Sequence, residues 1–151
     1  IIPTNVFGPH DNFNLQEAHV IPALIHKCFL AKQKKEKFIV AGSGEPLRQF
    51  LFSHDLAKIL IELLTIDFSE NLIISPNEEV KIKDVATIIA KKFDYLGEMV
   101  FDKTQSDGQY RKTADNSKLQ SVLPNFEFTD INYSLNYTID WFLNNYSTAR
   151  I

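Results

Sequence analysis

A polar loop near the start of the chain leads to the residue best suited to acid–base chemistry. The stretch GPHDNFN covers residues 8–14, and His19 follows it at the beginning of a helical pattern. A helix N-terminus carries unpaired N–H groups, and imidazoles in general exchange protons near neutral pH. His19 is therefore a candidate general acid or base, with a capping or surface histidine as the structural alternative.

Two further stretches contain groups suited to anion binding. Arg48 lies between a turn and the aromatic run FLF, so its guanidinium either forms a structural ion pair or binds phosphate through two hydrogen bonds. The sequence leaves both roles open. The stretch SDGQYRK, residues 106–112, is rich in hydrogen-bond donors, and by itself it predicts a surface loop.

Other motifs argue against several kinds of site. The GSG at 42–44 has no third glycine and no helix directly after it, so it predicts a turn rather than a dinucleotide-binding loop. The four histidines lack the spacing of a metal site, so we expect no metal. Cys28 falls on the apolar face of a helical pattern and is expected to be a small core residue.

Composition narrows the class of protein and its partners. A net charge of −3 argues against nucleic acid or a membrane surface as a partner. The lysine-rich KQKKEK, residues 32–37, includes a glutamate and is expected to be the solvated end of a helix. The single cysteine fits a reducing compartment, and no apolar run approaches the roughly 20 residues that span a bilayer. We therefore expect a cytoplasmic domain.

Hydrophobic periodicity predicts alternating strands and helices, which is typical of an α/β fold. Strands are expected at 1–7, 37–41, 71–75 and 99–101. Helices are expected at 19–33, after an N-cap at Ser53, and at 81–93 and 133–146. The second helix shows an apolar stripe of Leu56, Ile59, Leu60, Leu63 and Leu64. Because the chain opens on an apolar strand, we expect it to be the later part of a larger α/β protein.

Taken together, three stretches resemble a known family. The patterns P-x-N-x-F-G-P, starting at Pro3, and R-x-F-x-x-x-x-D-L-A, starting at Arg48, resemble the extended short-chain dehydrogenases/reductases that act on nucleotide sugars. The combinations GPHDNF with HVIPAL, and SDG with RK, resemble the GDP-L-fucose synthases within that family. The resemblance covers essentially the whole chain, and it corresponds to the C-terminal half of those enzymes.

This resemblance implies a fold and an activity. Residues 1–7 would be the last part of a Rossmann-type sheet, and 1–151 as a whole would be the α/β substrate-binding portion of an extended short-chain dehydrogenase/reductase. The NADP-binding domain, with its Tyr-x-x-x-Lys pair, is absent from this chain, so the isolated fragment is expected to be inactive. Whole enzymes of this type are homodimers that convert GDP-4-keto-6-deoxy-D-mannose to GDP-L-fucose by 3,5-epimerisation and NADPH-dependent 4-reduction.

The resemblance also implies site residues. His19 matches the catalytic acid of the epimerisation, and NADP(H) is expected at Pro3, Thr4, Asn5, Val6 and His19. The GDP-sugar substrate is expected at Asn5, Lys27, Ala41, Arg48, Asp107 and Lys112. Bacterial relatives carry an aromatic residue at the position of Ala41, so that packing contact is lost here or supplied elsewhere. The alternatives are another nucleotide-sugar epimerase or dehydratase of the family, or a non-catalytic nucleotide-sugar-binding module.

Overall fold

The computed structural model describes all residues from 1 to 151. The strands are β1 Ile2–Pro3, β2 Asn5–Phe7, β3 Phe38–Ala41, β4 Leu47–Arg48, β5 Phe50–Phe52, β6 Ile73–Ile74, β7 Val80–Lys81, β8 Met99–Asp102 and β9 Arg111–Lys112. The helices are α1 Val20–Lys34, α2 Ser53–Leu63, α3 Ile82–Lys92, α4 Ser117–Val122 and α5 Ile131–Asn144, with a 3₁₀ turn at Leu96–Glu98. None of these helices combines the length and the apolar character that crossing a bilayer requires.

The strands form four small sheets. Three are parallel pairs, β1 with β6, β2 with β5, and β3 with β8. In the fourth, β4 lies between β7, to which it is antiparallel, and β9, to which it is parallel. Parallel pairs need long crossover connections, which here contain the helices, so the predicted α/β class is confirmed.

Strand β5 lies between two hydrophobic cores. Phe50 and Phe52 belong to a core of 21 buried residues to which α1, α3 and α5 contribute. Leu51 points to the opposite face, where it joins a smaller core that includes Ile59 of α2 and Leu119 of α4. Because successive side chains on a strand alternate between faces, the buried FLF triplet stabilises both cores.

Most of the predicted elements agree with the structure. Helices α1, α3 and α5 begin and end within two residues of their predicted bounds. Cys28 is fully buried in the larger core, and this burial raises the pKa of its thiol to about 12, as expected of a core residue rather than a nucleophile. The lysine-rich segment 32–37 is exposed throughout, so the prediction of a solvated helix end is also confirmed.

Helix α2 departs from the prediction in two ways. Ser53 is not the N-cap but the first helical residue, and Phe52 occupies the cap position. The apolar stripe is only partly covered: Ile59 is buried and Leu56 and Leu63 pack against the smaller core, whereas Leu60 is 37% exposed and Leu64 is 86% exposed. Periodicity shows which residues of a helix are apolar, but it does not show which of them the fold covers.

Candidate functional site

The candidate site consists of two clefts beside helix α1. The first, which we call the strand-end cleft, has a volume of about 430 Å³ and is lined by residues 4–11, His19 and Ser53. The second, the side cleft, has a volume of about 330 Å³, and its wall includes Lys27, Ala41, Arg48 and Asp107. Helix α1 joins them, because His19 precedes its first turn and Lys27 lies further along it.

The loop before α1 is held by its own side chains. Asp11 Oδ1 accepts a hydrogen bond from the N–H of Asn12 at 2.7 Å, and Asn12 Oδ1 accepts one from the N–H of Asn14 at 3.1 Å. Asn14 Oδ1 in turn accepts from the N–H of Gln16 at 2.9 Å. Asp and Asn side chains favour such local turns, so the polar residues of DNFN set the path of the loop.

Gly8 allows this loop to pass close to α2. A Cβ atom at Gly8 would overlap the hydroxyl oxygen of Ser53, so the end of β2 and the start of α2 approach each other too closely for any side chain. Two residues later, His10 adopts the left-handed conformation at φ 65°, which turns the chain towards the rest of the loop. Ser53 thereby becomes part of the cleft wall instead of the cap that its sequence position predicts.

His19 occupies the N-cap position of α1 without acting as a side-chain cap. Its backbone carbonyl accepts the N–H of Ala23 at 3.0 Å, whereas its imidazole makes no cap hydrogen bond and is exposed in the strand-end cleft. The carboxyl group of Asp11 lies in the same cleft. Burial raises the pKa of Asp11, while the N–H of Asn12 and the nearby His19 and Arg150 act in the opposite direction. The imidazole is thus accessible for proton transfer.

The strand residues expected to bind cofactor are only partly brought together. Thr4, Asn5 and Val6 line the strand-end cleft, but Pro3 does not. The Asn5 amide nitrogen donates to the carbonyl oxygen of Gln49 at 2.9 Å, which fastens β2 to the residue before β5. The amide oxygen of Asn5 makes no hydrogen bond within the protein and is available to a ligand.

The structure bears on one of the two alternatives for Arg48, the structural ion pair. The side chain is half-buried, donates one hydrogen bond to the carbonyl oxygen of Leu47 at 2.7 Å, and has no carboxylate within 4.0 Å. Lys27 likewise forms no ion pair. Both cations line the side cleft, and neither is paired with a carboxylate of this chain.

Several other charged groups near this cleft are paired with one another. Glu45 accepts hydrogen bonds from Lys81 at 2.8 Å and from Lys83 at 2.6 Å, and these two bonds lower its pKa to about 2. Arg111 of β9 binds Glu79 through two of its nitrogen atoms. The pairing within the protein leaves Lys27 and Arg48 as the cations with free donors in the cleft wall.

Asp107 lines the side cleft and is also bonded within the protein. Its two carboxylate oxygens accept from the N–H of Ser43 at 2.6 Å and from the Ser43 hydroxyl at 2.7 Å. The bond from the hydroxyl, followed by that from the N–H, lowers the pKa of Asp107. Gly42 has a φ of 79°, and a Cβ there would overlap Asp107 Oδ1. Asp107 therefore holds the GSG turn against its own loop, and we call these two hydrogen bonds to Ser43 the Asp107 clasp.

Of the two remaining residues expected to bind substrate, one lines the side cleft and the other does not. Ala41, at the end of β3, lines the side cleft. Lys112 of β9 is exposed and does not line the side cleft. It is nevertheless paired with Arg48 in the register of β4 and β9. Sequence reasoning gave no role to Asp11 or Ser43. The DNFN and GSG motifs contain the signals for them, since Asp and Ser in turns commonly bond to nearby backbone or loop groups.

Comparison with known proteins identifies relatives of the chain. Residues 1–72 match the model of the NAD dependent epimerase/dehydratase family. A GDP-L-fucose synthase from Dictyostelium discoideum is 45% identical over 99% of this chain, and a probable GDP-L-fucose synthase from Drosophila melanogaster is 44% identical over 99%. Among solved structures, a GDP-L-fucose synthetase from Naegleria fowleri bound to NADP superposes on the whole chain with a TM-score of 0.94 at 46% identity.

The chain matches only part of the length of each of these relatives. It covers 48% of the Dictyostelium protein, 50% of the Drosophila protein and 48% of the Naegleria chain. It thus spans about half the length of these relatives. The family resemblance drawn from the GPHDNF, HVIPAL and SDG motifs is confirmed by this similarity, which extends over almost every residue. Residues 1–72 of the chain are thus similar to the NAD dependent epimerase/dehydratase family, and the chain as a whole is similar to about half of a GDP-L-fucose synthase.

Proposed function

We propose that this chain is the C-terminal, substrate-binding half of an enzyme that converts GDP-4-keto-6-deoxy-D-mannose to GDP-L-fucose. One observation carries the proposal: two cations without an acidic partner in the chain, Lys27 and Arg48, line a cleft beside α1, and His19 at the start of that helix lines the next cleft. A nucleoside diphosphate needs cations, and a sugar epimerisation needs a proton donor or acceptor.

The spacing along α1 fits an extended nucleotide sugar. His19 and Lys27 are eight residues apart, which corresponds to a rise of about 12 Å along a helix. We place the diphosphate in the side cleft, where the Arg48 guanidinium can bind two oxygens and Lys27 supplies a second positive charge. The sugar then reaches the strand-end cleft. Asp107 and Lys112 are proposed to contact the nucleotide, Asp107 through the lone pairs that Ser43 leaves free.

His19 is the proposed acid in the epimerisation at C3 and C5. The ketone at C4 acidifies the protons on the carbons beside it, so a base removes a proton and an acid returns one on the opposite face. An exposed imidazole that makes no hydrogen bond within the protein can approach the sugar from one face. The half of the enzyme outside this chain would supply the partner base.

We propose that the longer protein binds NADP(H), as the Naegleria relative does. Thr4, Asn5 and Val6 would hold the nicotinamide end, because the end of β2 is open, polar and supplied with the free amide oxygen of Asn5. The reduced cofactor supplies the hydride for C4. Strands β1 and β2 would belong to the sheet of the cofactor domain. A cytoplasmic homodimer is the proposed assembly.

Replacement of His19 by glutamine in the longer enzyme tests this proposal. We expect solvent deuterium exchange at C3 and C5 of the sugar to fall by about 10²- to 10⁴-fold, the usual contribution of a general acid or base. NADP(H) binding should persist. His54→Gln is the matched control, because His54 is exposed and packs on Phe52 and Tyr137 outside both clefts. Exchange at the unmutated rate in His19→Gln would contradict the proposal.

The same assay separates the alternatives. An epimerase or dehydratase acting at other carbons would not incorporate deuterium at both C3 and C5. A non-catalytic module would bind GDP without any exchange in the longer protein. The 151-residue chain alone should oxidise no NADPH with the keto sugar and serves as the negative control.

A further inference from the structure

We infer that Phe13 and Trp141 are positioning residues for His19, and that helix α5 holds the loop that carries this histidine. The inference deepens the proposed function and rests on it. It comes from the contacts between the loop and α5; Phe13 and Trp141 lie outside the linings of both clefts, whereas His10 lines the strand-end cleft.

Phe13 is the point at which the loop is fixed to the core. Its side chain is fully buried, with its ring centroid 4.6 Å from that of Phe142. Its N–H donates to the carbonyl oxygen of Arg150 at 2.7 Å, and its carbonyl lies 2.8 Å from Nδ1 of the buried His26. Three separate parts of the chain, α1, α5 and the terminal segment, therefore contact this one loop residue.

Trp141 connects this fixed point to the cleft wall. Its ring stacks on Phe13 at 6.1 Å with an interplanar angle of 19°, and it lies 4.5 Å from the ring of His10. His10 has the left-handed backbone conformation, which a residue other than glycine adopts at a cost. The indole thus supports the strained residue on one side of Asp11 and the buried anchor on the other.

His19 is only six residues after Phe13, so the position of Phe13 affects the position of His19. Between Phe13 and His19 the chain forms a hydrogen-bonded turn. The carbonyl oxygen of Asn14 accepts hydrogen bonds from the N–H groups of Glu17 at 3.2 Å and Ala18 at 2.8 Å. Displacement of Phe13 would therefore shift the first turn of α1 and its N-cap. Lys27 and Arg48 lie in the other cleft, and neither contacts Trp141 through a hydrogen bond or ring stack.

The test compares three variants of the longer enzyme. Trp141→Ala should lower kcat for deuterium exchange by about 10- to 100-fold, as displacement of a catalytic group by roughly 1 Å does, without raising KM. Tyr137→Ala, one turn earlier on α5 and packed on His54 rather than on the loop, should leave kcat unchanged. Trp141→Phe, which keeps a ring in place, should recover most of the loss.

A second readout is independent of activity. In the 151-residue chain, Trp141→Ala should speed hydrogen exchange at the Phe13 amide, whereas Tyr137→Ala should not. Unchanged kcat or unchanged Phe13 exchange in Trp141→Ala would overturn the inference, as would an equal loss of kcat in Tyr137→Ala or a rise in KM. If the unmutated enzyme exchanges no sugar protons, the proposed function fails and the role of Trp141 towards His19 fails with it. Faster Phe13 exchange would then show only that Trp141 orders the loop.

Discussion

The two clefts beside α1 differ in how their polar and charged groups are bonded within the protein. In the strand-end cleft, loop side chains bond to neighbouring backbone groups, and Phe13 fixes the loop to the core. In the side cleft, Lys27 and Arg48 have no acidic partner. Polar groups that are satisfied within a protein hold geometry, whereas charges left without a partner are available to a ligand. The first cleft is thus suited to placing a reacting group, and the second to binding.

Arg48 of the side cleft has an acidic residue nearby in the sequence but is not paired with it. Glu45, only three residues before Arg48, is bonded to Lys81 and Lys83 instead. A half-buried guanidinium without a carboxylate loses the stabilisation that pairing would give. The absence of a partner at Arg48 is therefore a feature that stability alone does not favour.

The largest effect on stability should come from the loop anchor. Phe13→Ala removes a fully buried ring and should lower the free energy of unfolding by about 3–5 kcal/mol, measured by denaturant titration of the 151-residue chain. Leu143→Ala, at a position on α5 that is 41% exposed, should change it by about 0.5 kcal/mol or less. A loss below about 1 kcal/mol for Phe13→Ala would mean that the loop is not fixed to the core.

A smaller effect, dependent on pH, should come from the Asp107 clasp. The folded state lowers the pKa of Asp107 below its ordinary value of 3.8, so the contribution of the carboxylate is present above that value and is lost as pH falls through the folded pKa. Thermal melts should therefore show Asp107→Asn less stable than the unmutated chain at neutral pH, and the difference should disappear in acid.

Asp67→Asn is the control for this pH series, because it removes an exposed carboxylate that accepts no hydrogen bond from the protein. A difference between the unmutated chain and Asp107→Asn that persists unchanged below the folded pKa of Asp107 would rule out the clasp as its source.

The sequence predicted the parts of the site that depend on long, regular elements. Helix α1 has buried apolar residues at helical spacing, Ile21, Leu24, Ile25 and Cys28, so the position of His19 at its start followed from the local pattern. Whether Arg48 would be paired could not be predicted, because that depends on where Glu45 finds its partners, more than 30 residues later in the chain. The same limit applies to Pro3 and Lys112, which the fold leaves outside the cleft walls.

The errors in the fold have a related cause. Strands β4, β7 and β9 have two residues each, too few to show a period, yet together they position Arg48. Leu60 and Leu64 match a helical stripe but remain exposed, since burial depends on what packs against α2. Short strands and burial are set by tertiary contacts, and a single sequence records these only indirectly.

The ligand-binding role proposed for Arg48 can be measured directly. Arg48→Ala in the 151-residue chain should weaken GDP binding by about 1.5–3 kcal/mol in calorimetric titration, with Arg48→Lys recovering part of the loss. Arg111→Ala, which removes a cation already bound to Glu79, should leave GDP affinity unchanged, and Lys112→Ala should have a smaller effect than Arg48→Ala. The unliganded melting temperature of Arg48→Ala should stay close to that of the unmutated chain. A large fall in that temperature with GDP affinity intact would contradict the claim.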